Sequence, residues 1–150
     1  MERSEELLAS EEAAWRRLFE QVDRVPEPDR KLPVVGDWSV HDLVWHCAHW
    51  ADFCGAHLER AREVPVGDPF DGESDEHWDR VNEEVAERSK AMPWQDVIDG
   101  TDAARARIRA ALAALPEVTD DAAGWFAGET FTHYDEHAES IAAFVDRGRS

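Results

Sequence analysis

The sequence predicts an all-α fold, a four-helix bundle with a long crossover connection that carries one extra short helix. Three observations lead there. Apolar residues recur at helical spacing along most of the chain, while sustained alternation is missing and β-branched residues are sparse. Breaks rich in Pro and Gly separate the periodic stretches. The length of 150 residues, 43% of them hydrophobic, is that of one domain, residues 1–150, able to bury a core without disulfides.

The first helix is predicted over residues 4–22, with Leu8, Trp15, Leu18, Phe19 and Val22 on one face. Residues 26–36 hold Pro26, Pro28 and Pro33 and read as a loop. Ser39 opens the second helix as an N-cap, with Asp42 in the position that closes a capping box, and this helix should reach Arg62. Residues 65–72 form another loop with Gly67, Pro69 and Gly72. Ser74 caps the short crossover helix to about Lys90, with Trp78, Val81 and Val85 inward. Pro93 suits the first turn of the next helix, which runs to Leu115. Residues 116–128 are rich in Asp and Gly and read as a loop before the closing helix, residues 130–147.

Charge and cysteine content narrow the function classes. A net charge of −18, with no run of Lys or Arg longer than a pair, opposes binding to nucleic acid or to an anionic membrane surface. No apolar stretch approaches the ~20 residues that span a bilayer. The acidic start, MERSEELLAS, does not read as a secretory leader. Cys47 and Cys54 lie seven residues apart on a predicted helix, about 10 Å along its axis, too far to bridge. They read as small packing residues, and together these features point to a reducing, cytoplasmic location.

Seven histidines are separated by helical geometry. With His46 at zero and ~100° per residue, Phe53, Trp50, Leu43 and His57 fall within about 60° of it, along the apolar stripe. His49 lies at the stripe's edge, and His41, near −140°, is predicted to face solvent. On the closing helix His133 and His137 share the stripe that holds Ile141 and Phe144. Their i,i+4 spacing stacks them one turn apart, where two imidazoles can grip one metal ion. A lone inward histidine such as His57 is usually a hydrogen-bonded core residue. Three inward histidines from two helices point more strongly to a metal, because each neutral ring otherwise needs another polar partner.

The stretches Trp38-Ser39-Val40-His41-Asp42-Leu43-Val44-Trp45-His46 and Thr132-His133-Tyr134-Asp135-Glu136-His137 resemble the two terminal motifs of the DinB/YfiT-like superfamily. Asn82 and the helix start near Pro93 fit its weaker middle. That resemblance implies a four-helix bundle of non-sequential helix order and a divalent metal site made by His46, His133 and His137. It also implies kinship with mycothiol-dependent maleylpyruvate isomerases and bacillithiol transferases, with detoxifying or resistance proteins, and a tendency to form homodimers. The family's damage-inducible name does not imply DNA binding.

Function divides three ways on this reading. A metal-dependent enzyme is the first: three neutral ligands leave a divalent transition metal, Zn or Ni foremost, with open positions to activate water or the thiolate of a low-molecular-weight thiol cosubstrate. Trp50 and Phe53 would wall a pocket for a small-molecule substrate, neutral or cationic given the overall charge. Tyr134 either orients that substrate or packs, and Glu136 is either a general base or, like Asp135, a solvated carboxylate. The second is a non-enzymatic small-molecule-binding or stress-resistance protein. The third is a structural metal site closed by a fourth ligand, for which His49 is near enough and His57 too far.

Overall fold

The computed structural model describes residues 2–148, so Met1, Arg149 and Ser150 of the predicted 1–150 domain lie outside the described residues. Six α-helices make up the fold: α1 (Arg3–Asp23), α2 (Val40–Ala61), α3 (Asp75–Lys90), α4 (Trp94–Ala113), α5 (Asp120–Glu129) and α6 (Phe131–Gly148). A single 3₁₀ turn, Glu27–Asp29, interrupts the proline-rich connection between α1 and α2. The chain folds as an all-α bundle in which α1, α2, α4 and α6 surround the core. Helix α3 lies on the outer side of α2 within the crossover, as its predicted length and Ser74 cap require.

Local chemistry sets the start of α2. The Ser39 hydroxyl accepts from the Asp42 backbone N–H at 3.1 Å, and an Asp42 carboxylate oxygen accepts from the Ser39 N–H at 3.0 Å. This is the capping box read from the sequence, with Asp at N3. The second Asp42 oxygen accepts from the Ser89 hydroxyl, which ties the end of α3 to the start of α2. Gly36, at φ +56°, turns the chain just before this cap, next to the isolated bridge between Val35 and Trp38.

Helix α2 is the axis of the molecule. One core cluster joins its first half to α1, α6 and the start of α4, through residues such as Leu18, Leu43, Val97 and Ile141. A second joins its later turns to α4 and α5, through Leu58, Ile108, Leu112 and Phe126. Two glycines permit the close approach of α2 and α4. A Cβ on Gly55 would meet the Ile108 backbone at 3.3 Å, and one on Gly100 would come within 2.6 Å of the Trp45 ring.

Two expectations are corrected here. Residues 116–128 are not a loop throughout, since α5 occupies Asp120–Glu129. Its cap is the Thr119 hydroxyl, which accepts from Ala122 N–H, and Asp120 and Asp121 favour its first turn. Ala122, Ala123 and Phe126 face the core, so tertiary burial outweighs the two glycines that suggested a loop. His41 does not face solvent. It is 2% exposed, because α2 is enclosed around most of its circumference at this end and not along one stripe.

One buried carboxylate joins three helices. Glu11 on α1 is fully buried and accepts from Arg105 Nε at 2.7 Å, Arg105 Nη2 at 2.8 Å and Arg109 Nη1 at 2.7 Å, all from α4. The Tyr134 hydroxyl of α6 donates to it at 3.0 Å. The Arg105 guanidinium also lies 4.7 Å from the centroid of the Trp15 ring. Glu11→Ala should lower unfolding free energy by about 3–5 kcal/mol, since two guanidinium groups and a phenol lose their buried partner. Arg16→Ala, which breaks an exposed pair with Glu12, should change it by no more than about 1 kcal/mol. Chemical denaturation of both variants checks this; equal losses would contradict the role of Glu11.

Candidate metal centre

His46 stands two turns into α2, beyond the capping box, and His133 and His137 stand one turn apart near the start of α6. The bundle brings the three together. Each offers a ring nitrogen, and these nitrogens all lie within 4.8 Å of one another. Ring centroids are 4.8 Å apart for His46 and His133, 5.3 Å for His46 and His137, and 4.5 Å for His133 and His137. His46 is 8% exposed, and the other two are half-buried at the bundle surface.

Burial sets the protonation of the cluster. It pushes the pKa of His46 down to about 2, helped by His133, His137 and His49. Burial takes His133 to about 3, with His137 adding to the effect, and it alone takes His137 to about 4. All three rings are therefore neutral near pH 7, the form that binds metals. Among the described residues the side chains acting electrostatically on these rings are histidines.

The donor set fits a divalent ion. The Nε2 atoms of His133 and His137 are 2.9 Å apart and face each other. With the proton of each neutral ring on Nδ1, both Nε2 lone pairs are free to face one ion. Among the described residues the Nδ1 of His46 is buried without a hydrogen-bond partner, a state that costs roughly 1–3 kcal/mol. Two nitrogens on one ion at about 2.1 Å can be no more than about 4.2 Å apart, so the cluster needs only small side-chain adjustments to close. Among the described residues no fourth His, Cys, Asp or Glu joins the group.

The remaining histidines and both cysteines stand apart. The His49 ring lies 4.8 Å from Trp50 and outside the cluster. His57 is half-buried, with Nε2 bonded to the Gly67 carbonyl at 2.7 Å and its ring against Trp125. It thus fastens the crossover to α2. Cys47 and Cys54 are buried free thiols whose pKa values burial pushes up, which keeps them un-ionised.

Aromatic side chains border the cluster. Trp38 lies 4.9 Å from the His46 ring and Trp50 lies 6.4 Å from it. Trp50 Nε1 donates to the Asn82 side chain of α3 at 2.8 Å, which fixes its orientation. Phe53 joins Trp50, Phe70 and Trp78 in a group whose centroids are 5.2 to 5.9 Å apart. That group packs the crossover against α2. Trp38, which the sequence places within a motif but gives no site role, is the nearer wall.

The other site candidates fall in different surroundings. Tyr134 is fully buried, with its hydroxyl on Glu11 and its ring edge against Trp15, so it packs the core. Asp135 is paired with Arg17 at 3.0 Å. Glu136 is exposed. Sequence reasoning missed Glu129, the half-buried last residue of α5, whose carboxyl is pushed up to about 7 by burial and then by the nearby Glu136. No local pattern marks it, because Thr130 breaks the helix between Glu129 and His133 and helical spacing does not carry across.

The family model described as the DinB superfamily matches residues 11–143. No curated protein and no solved structure matches the chain significantly. Among the described residues no helix is long and apolar enough to cross a membrane.

Acid should unfold the metal-free protein through the histidine cluster. The three rings bind protons in the unfolded chain from the ordinary value of 6.5 downward, and in the fold only at about 4 and below. Stability is therefore complete above about pH 6.5 and falls as pH drops toward 4. Glu129 acts in the opposite sense, stabilising at low pH and losing that contribution as pH rises through about 7. Three groups outweigh one, so melting temperature should fall between pH 6.5 and 4, and more steeply in Glu129→Gln. A melting temperature that is flat across this range in both proteins would contradict the assignment.

Proposed function

The chain belongs to the DinB superfamily, and we propose that it is a metal-dependent enzyme that acts on a small electrophile. His46, His133 and His137 hold one divalent transition metal, Zn or Ni. The single observation that carries this reading is the meeting of three neutral ring nitrogens within 4.8 Å, with no fourth protein ligand among the described residues. An open coordination position distinguishes a catalytic site from a structural one. When bound, such an ion supplies Lewis acidity, which holds a thiolate or lowers the pKa of water toward about 7.

The chain's own residues supply the rest. The histidines are already neutral, so they accept the ion without first losing protons to solvent. Trp38 and Trp50 wall the approach with apolar surface, and Asn82 holds Trp50 in place. Phe53 backs Trp50 from behind. Of Glu129 and Glu136, which interact with each other, Glu129 is the better proton carrier, because its carboxyl titrates near neutrality while Glu136, the residue before His137, is exposed to solvent. Among the described residues no Lys or Arg acts on the rings of the cluster, so the favoured substrate is neutral or cationic, with an apolar body. Transfer of a low-molecular-weight thiol to such an electrophile, as in detoxification, is favoured over hydrolysis by family kinship alone.

Metal-loaded protein should turn over members of a panel pairing epoxides and aryl halides with several thiols, or of an ester and amide panel. His46→Ala should lower the rate by more than about 100-fold, beyond what loss of a group that only orients a ligand produces. In Glu129→Gln the acid limb of the pH–rate profile near pH 7 should disappear along with most of the rate. Undiminished turnover in His46→Ala would overturn the reading. Tight binding of a panel compound without conversion would instead identify a binding protein.

A further inference from the structure

A second cleft opens on the other side of the α2 cap. Its volume is about 470 Å³, and Glu27, Pro28, Arg30, Lys31, His41 and Trp94 line it. Acidic residues outnumber basic ones by 34 to 16 in this chain, and cations on most of its faces are paired with them. Among the described residues, neither Arg30 nor Lys31 has a carboxylate within ion-pair distance. Arg30 is nonetheless held in place. Its Nε donates to the Val25 carbonyl at 3.0 Å, and its guanidinium lies 5.0 Å from the centroid of the Trp94 ring. The terminal nitrogens carry donors that no protein group uses, in an orientation already fixed.

The floor of the cleft is His41. Its backbone N–H donates to the Arg30 carbonyl at 3.1 Å, which closes the proline-rich segment onto α2. Its ring stands 5.7 Å from that of Trp94, it is 2% exposed, and its Nε2 has no hydrogen-bond partner. Burial and the neighbouring Lys31 hold its pKa down, so the positive charge of the cleft comes from Arg30 and Lys31. Glu27 is the one opposing charge among the lining residues.

We propose that this cleft binds a small organic anion, with its carboxylate or phosphate-ester head on Arg30 and Lys31 and a flat, unsaturated body against Trp94. The donors of Arg30 suit two-point recognition of either head group, and the indole edge beside the stacked guanidinium suits an aromatic body in edge-to-face contact. The site is separate from the histidine cluster and does not depend on a metal.

The test is calorimetric titration of the metal-free full chain with benzoate, phenyl phosphate and inorganic phosphate. Saturable binding of an aromatic anion is expected, and the tighter of the two names the head group. The Arg30→Gln/Lys31→Gln variant should bind it about tenfold more weakly or worse, with Lys31→Gln alone giving a smaller loss in the same direction. Trp94→Leu should narrow the preference for phenyl phosphate over inorganic phosphate, and His133→Ala/His137→Ala should bind as the native chain does. The proposal is overturned if neither aromatic anion saturates, if inorganic phosphate binds as well as phenyl phosphate and benzoate, if the charge variants bind unchanged, or if the histidine variant loses binding.

Discussion

The carboxylate of Glu11 is the constraint on which the bundle's register depends. A buried charge with no partner is intolerable, so α1 can close on α4 and α6 only where Arg105, Arg109 and Tyr134 reach that one group. Apolar packing tolerates small slides between helices; four directed hydrogen bonds do not. Fixing Tyr134 fixes the rotation of α6, because the residues beside it in sequence then point about 100° to either side. His133 is its immediate neighbour and His137 lies three residues on, so both fall on the face that looks toward α2. The network on one side of α6 thereby positions the histidines on the other.

A second constraint acts at α2. Its capping box and the Ser89 contact hold its first turn, while Gly55 and Gly100 let α4 come close along its length. His46 is presented from a helix that is held at its start and packed on several sides. The three imidazoles meet inside a low-dielectric setting that keeps them neutral. The same burial raises the Glu129 carboxyl. The rings are thus shifted down and the carboxyl up by one physical cause, since burial disfavours the charged form of each.

Much of this was legible in the sequence because it is local. The Ser39–Asp42 cap, the Ser74 cap and the proline breaks are short-range signals, and the helix bounds they predict agree with those observed to within a few residues. Helical periodicity turns His46, His57, His133 and His137 inward without knowledge of the partner helices, and the family resemblance singles out His46, His133 and His137 among them. What was not legible depends on surroundings. Helix α5 carries its own cap at Thr119, but Gly124 and Gly128 outweighed it until the burial of Phe126 was known. A one-stripe view of α2 sent His41 outward, whereas the helix is enclosed around its first turns. The pairing of Tyr134 with Glu11 spans 123 residues, and no local pattern announces it. Phe53, Phe70 and Trp78 come from separate elements and meet only in the fold.

The central claim is that His46, His133 and His137 together hold a metal ion, and elemental mass spectrometry of untagged protein tests it most directly. The account predicts about one transition-metal ion per chain in the native protein and none in His133→Ala/His137→Ala. Native protein that carries no metal, and takes up none when Zn²⁺ or Ni²⁺ is added, would contradict it.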